Sequence, residues 1–129
     1  MSLDVSPTLL ARAERNEIAD AEFVATVRES LPYAYRLVDR LSGELASGEA
    51  EFADNTVAPS DSERAQLLRA LASDAIRGVL ERHFAVRLAF QNCHRVAVFR
   101  PGAEQSAAYR EFTSIRAQLL NQSPELRSC

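Results

Sequence analysis

The chain has 129 residues, a net charge of −3, 47% hydrophobic and 26% charged side chains, the balance of one ordinary globular domain with length enough to bury a real core. All fifteen of its positive side chains are arginines. Without a lysine there can be no Schiff base or amine nucleophile and no phosphate loop of the G-x-x-x-x-G-K-[ST] kind, and no G-x-G-x-x-G run is present.

In chain order, Ser6-Pro7 reads as an N-cap with proline at the first helical position, followed by the stripe Leu9, Leu10 and Ala13. Asn16 is the expected stop. Asp20 is read as the cap of a second helix whose buried face is Phe23, Val24 and Val27 and which ends near Leu31. Pro32 lacks an amide hydrogen and disfavours helical geometry before it, so the helix breaks there. A third helix runs from Tyr33 with Ala34, Leu37, Val38, Leu41 and Leu45 at helical spacing, and with Arg36, Asp39 and Arg40 on its exposed side. From Gly48 to Pro59 the periodicity is lost and the turn formers Asp54-Asn55 and Pro59 predict a loop, with Phe52 and Val57 pinning it down.

Ser60 to Glu63 is a capping box. Leu67, Leu68, Leu71, Ala72, Ala75, Ile76, Val79 and Leu80 then follow at three- and four-residue spacing. This predicts one central helix over 60–84. Two period-two runs come next. Val86, Leu88 and Phe90 oppose Arg87, Ala89 and Gln91, and Val96 and Val98 alternate with Arg95, Ala97 and Phe99. They predict one antiparallel β-hairpin over 85–100, closed by Pro101-Gly102. No third strand is legible, so a second copy of the chain is the expected partner for the hairpin. The tail, Glu104 to Leu120, reads as helical with Phe112, Ile115, Leu119 and Leu120 buried. The expected fold is therefore α+β and mostly helical, a single domain of about five helices around the central helix.

No apolar run approaches the ~20 residues needed to span a bilayer. Residues 1–10 carry an acid, Asp4, and neither a basic residue nor a signal-type apolar run, so a cytoplasmic protein without a membrane segment is expected. In a reducing compartment Cys93 and Cys129 are not expected to form a structural disulfide. The charge is split. Residues 1–61 hold twelve acids against five arginines, and residues 62–129 hold ten arginines against six acids. Opposite fields of this kind favour docking of the two parts on each other or on a second copy.

The stretches "LLRALASDAIRGVLERHF", "LAFQNCHRVAVF" and "LLNQSPELRSC", with the opening "SLDVSPTLL" and "SLPYAY", resemble a family of small actinobacterial proteins of the Streptomyces type. The resemblance spans nearly the whole chain. It implies a bacterial, cytoplasmic, single-domain protein, and it brings no activity, cofactor or ligand with it.

The candidates for a metal or redox site are Cys93, His94, Cys129 and His83, since a soft metal takes thiolates and imidazoles in tetrahedral array. Their spacing forms no C-x-x-C or H-x-x-x-H, and each has a plain structural reading: a turn, a frayed terminus, and a cation at a helix end. No nucleophile elbow or oxyanion loop accompanies Cys93. Arg77, Arg82, Arg87, Arg95 and Arg100 gather around the hairpin. Of these, Arg87, Arg95 and Arg100 are the candidates for contacting nucleic acid, because arginine suits phosphate and guanine. An acidic net charge and a heavily apolar preceding helix oppose that reading. The leading expectation is a non-enzymatic interaction or oligomerisation protein, a homodimer, with no cofactor. A metal or thiol-switch protein is the first alternative, and nucleic-acid binding the second.

Overall fold

The computed structural model describes residues 2–91 and 95–122. The elements run α1 (Pro7–Glu14), α2 (Asp20–Ser30), α3 (Pro32–Ser47), β1 (Phe52–Asp54), α4 (Asp61–Leu71), α5 (Asp74–Phe84), β2 (Arg87–Gln91), β3 (Arg95–Phe99), a short 3-10 turn (Ala103–Gln105), α6 (Ala107–Phe112) and α7 (Ile115–Leu120). This is the mostly helical α+β class that the periodicity predicts.

Serine starts most of the helices. Ser6, Ser60, Ser73, Ser106 and Ser114 each accept a backbone N–H from the residue three positions on, satisfying one of the donors that a helix N-terminus leaves open. At Ser60 the box is complete, since Glu63 reaches back to the Ser60 N–H at 2.9 Å. Asn16 sits at φ +56°, the left-handed conformation that stops α1. Asp20 is not the cap of α2 but its first residue. Ala19 holds the N-cap position, and Glu22 accepts its N–H at 3.1 Å.

The longest helix, α3, has no capping side chain of its own at its N-terminus, and at its C-terminus the Ser47 hydroxyl donates to the Glu44 carbonyl at 3.3 Å. Pro32 opens it, and the Gln66 Oε1 from α4 accepts the N–H groups of Tyr33 at 2.7 Å and Ala34 at 3.2 Å. At the other end Arg100 donates to the carbonyls of Leu45 at 3.0 Å, Gly48 at 3.3 Å and Ala50 at 2.6 Å. Residues distant in sequence thus help to satisfy the orphan groups at both ends, beside the local bonds of Tyr35 N–H to Leu31 and Gly48 N–H to Leu45.

Three expectations require correction. The central helix over 60–84 is two helices, parted at Ala72-Ser73. The apolar stripe runs through the break because both helices face one core, with Leu67, Ala70 and Leu71 buried on one and Ile76, Val79 and Leu80 on the other. The hairpin over 85–100 is also not alone. Phe52–Asp54, inside the expected loop, pairs antiparallel with β3 in the register Phe52↔Phe99, Ala53↔Val98 and Asp54↔Ala97, giving the order β1-β3-β2. The chain thus supplies its own third strand, which removes the reason for seeking one in a second copy. Finally, Phe112 is buried as expected, but Ile115, Leu119 and Leu120 are 81%, 67% and 42% exposed. The break at Thr113-Ser114 turns α7 so that Ala117 and Asn121 line the cleft toward the sheet together with the half-exposed Leu120, while Ile115 and Leu119 face away from it.

The period-two pattern places the two faces of the sheet in different cores. Leu88, Val96 and Val98, with Phe90 and Ala53, pack with the buried stripes of α2 to α5, including Val27, Leu31, Val38, Leu41, Leu67 and Leu80. Ala89, Ala97 and Phe99, with Phe52, pack against Phe112, Ala108 and Tyr109 from the tail. Phe99 meets the Tyr109 ring edge-on at 5.1 Å and stacks with Phe52 at 5.0 Å, spacings at which aromatic pairs add to simple burial. The result is three layers, with the small sheet between the main helices and the tail.

Candidate functional site

Cys93, His94 and Cys129 lie outside the described residues. His83 is described, at the end of α5. Its Nε2 stands 3.4 Å from the Tyr35 hydroxyl, and its ring meets Phe84 edge-on at 4.7 Å. Among the described residues no three His, Cys, Asp or Glu side chains are grouped to hold a metal ion.

The three arginines expected to reach nucleic acid are each engaged within the fold. Arg95 Nε donates to Asp54 Oδ2 at 2.8 Å, its Nη2 bonds the same oxygen, and the guanidinium lies 5.4 Å from the centre of the Phe112 ring. Arg100 closes the end of α3. Arg87 Nε lies 3.4 Å from Glu104 and 3.7 Å from Glu81. The Tyr109 side chain, followed by those carboxylates, holds the Arg87 guanidinium above its ordinary pKa against the opposing effect of burial. Glu81 in turn accepts the Leu88 N–H at 2.9 Å, so the carboxylate that balances Arg87 also opens β2.

Clefts of ligand size among the described residues include two that carry several polar side chains. One, of about 590 Å³, lies between the sheet and the tail and is lined by Phe52, Asp54, Arg95, Gln91, Phe112 and Asn121 among others. Its polar groups bond to each other. Gln91 is 4% exposed and donates to the Phe112 carbonyl at 2.9 Å while accepting from Asn121 Nδ2 at 2.7 Å. Asn55, also buried, accepts the Val96 N–H at 2.9 Å and prolongs the β1–β3 ladder. Buried amides joined in this way fasten two layers together. The chain Asn121–Gln91–Phe112 is the latch that holds the tail on the sheet.

The other cleft, of about 610 Å³, is formed by the outer side of α3 (Tyr33, Arg36, Leu37, Asp39, Arg40, Gly43), the segment after β1 (Val57, Ala58) and the first turn of α4 (Glu63). Glu63 is fixed by the capping box, and Arg40 stands 3.7 Å from Glu44 in an exposed i,i+4 pair. Arg36 has neither an ion pair nor a hydrogen bond among the described residues, and the Tyr33 phenol has no hydrogen-bond partner there. Burial, helped by the Glu63 charge and opposed by Arg40, raises the Tyr33 pKa, so its hydroxyl stays protonated and a donor. Sequence reasoning placed Arg36, Asp39 and Arg40 together on an exposed helix face. It did not mark them as a site, because the wall that makes the face concave comes from residues 57–63.

Fold and clefts together define a small α+β protein whose described residues offer a concave surface lined by several polar groups. The family model KH_NucS_shadow, described as NucS shadow ORF, matches residues 1–129, and the chain belongs to that family. No curated protein and no solved structure matches the chain.

Proposed function

We propose that this is a non-enzymatic, cytoplasmic interaction protein that associates with a second copy of itself through α7. The observation that carries the reading is the exposure of Ile115 (81%) and Leu119 (67%), one turn apart, with Leu120 beside them. Apolar side chains grouped on one exposed turn mark contact surfaces. The family name begins with KH, a label for a module that clamps the backbone of single-stranded RNA in a G-x-x-G loop. The turn between α4 and α5 reads Leu71-Ala72-Ser73-Asp74, and the four glycines, Gly43, Gly48, Gly78 and Gly102, never stand three apart. With that grip missing and Arg87, Arg95 and Arg100 engaged internally, protein association is the better supported reading.

A shadow reading frame shares its DNA with another gene, and the lysine-free composition is compatible with usage set by that DNA. The agreement between levels favours a selected product nonetheless. Serine caps, apolar stripes and cross-half ion pairs all specify one structure, and such consistency is the property of sequences that fold. The experiment has two parts. Peptides bounded by arginine should be found in trypsin-digested cell extract, and the purified chain should sediment as a dimer at micromolar concentration. Ile115→Glu with Leu119→Glu should give a folded monomer. A strictly monomeric mass for the unaltered chain across the concentration range sinks the reading.

A further inference from the structure

We propose that the cleft between α3 and the segment after β1 binds a small organic monocarboxylate with an apolar body. The carboxylate would be held by Arg36 and the Tyr33 hydroxyl, and the apolar part would lie along Leu37, Val57 and Ala58. The inference shares no residue with the α7 surface and stands or falls separately from it.

Free polar groups that converge in a concavity are what distinguishes this place. The cleft volume of about 610 Å³ lies within the range of about 300–1,000 Å³ found for small-molecule sites. Folding elsewhere pairs its guanidinium groups with carboxylates, carbonyls, an amide or an aromatic ring. Arg36 and Arg69 are the two described arginines without such a partner, and Arg69 borders a shallower depression near Ala65 and Leu68. At Arg36 a second free donor is available, the Tyr33 phenol, three residues earlier and therefore on the same face of α3. A guanidinium fork with an adjacent hydroxyl is matched to a carboxylate, whose oxygens accept several N–H and O–H bonds at once.

The charges of the cleft set the ligand class. Arg36 and Arg40 are balanced by Asp39 and Glu63, so the lining is neutral in sum. A phosphate dianion would meet two carboxylates there, whereas a single carboxylate needs only the Arg36 end. The other wall is apolar. Val57 is 72% exposed, and a Cβ added at Gly43 would meet nothing within 4 Å, so the floor of the cleft is open to a bulky group.

The test is isothermal titration of the full chain with three probes: N-acetyl-leucine, its carboxamide, and inorganic phosphate. Saturable binding of the carboxylate, and of neither other probe, is expected below ~10 mM. Arg36→Gln should weaken it by about tenfold or more and leave the thermal midpoint unchanged, because Arg36 supports no other group. Tyr33→Phe should weaken it less. No saturable heat with the carboxylate, equal affinity for the carboxamide or for phosphate, or full binding by a folded Arg36→Gln chain would each overturn the proposal.

Discussion

Arginine does three different kinds of work in this molecule, and the surroundings of each side chain decide which. Arg100 is a cap, Arg95 a partner for Asp54 under an aromatic ring, and Arg82 a tie between α5 and the first residue of α2. In the last case Nε and Nη2 donate to the two Asp20 oxygens at 2.6 and 3.1 Å, the bidentate geometry that lysine cannot supply. The Arg82 hydrogen bonds hold the Asp20 carboxyl below its usual pKa, with burial opposing and the Arg82 charge assisting. A carboxylate whose pKa is lowered on folding stabilises the fold above its unfolded-chain value, and that stabilisation disappears as the pH falls through the lowered folded value. The urea midpoint of the unaltered chain should therefore exceed that of Asp20→Asn at neutral pH. The gap should close below about pH 4, and added salt should shrink it because the pair is exposed. A gap independent of pH would mean that Asp20 contributes through something other than its charge.

Among the elements, α4 and α5 each bury a short apolar stripe in the main core beside α3. Leu71 is 2% and Ile76 1% exposed, one on each side of the Ala72-Ser73 break. Truncating either to alanine should cost roughly 2–5 kcal/mol, since the cavity adds to the lost transfer energy, and denaturant melts of the two variants measure it. Losses under ~1 kcal/mol at both positions would place the stripe on a surface seam. The outline of these elements was legible because caps and periodicity are local signals. The Ser6 and Ser60 caps, Asn16 as a stop, the apolar stripe of α3 and the alternation in β2 and β3 all stand where the residues indicate, whereas the caps at Ser73, Ser106 and Ser114 were not read. What was missed is non-local. A three-residue strand shows no period of its own, and Phe52–Asp54 is a strand only because β3 lies beside it. The break in 60–84 had a signal in Ser73-Asp74, but an uninterrupted apolar stripe outweighed it. Of the candidate site, the charged face of α3 was visible and its concavity was not.

For the whole molecule, the split in charge along the sequence becomes attraction between packed elements. Asp20 meets Arg82, Asp54 meets Arg95, and the carbonyls of Leu45, Gly48 and Ala50 meet Arg100. Other arginines of the basic half pair within it, as Arg77 does with Asp74 and Arg116 with Glu111. Duplex DNA should accordingly give no measurable shift in fluorescence anisotropy at physiological salt, and at most a weak one at low salt that vanishes as counterions are added. Tight binding that resists salt would show that these arginines reach the duplex in spite of their internal pairings.

The capping of α3 has a consequence for the order of events in folding. Its first turn waits for Gln66, 33 residues on, and its last for Arg100, which lies 50 to 55 residues from the carbonyls it serves. A helix that leaves the ribosome early is thereby finished only after β3 has been made. Loop closures of that span must precede their reward, which places these contacts late in the search. On this reasoning the first half of the chain alone would hold a frayed α3, and both ends of that helix would be completed together with the sheet instead of element by element.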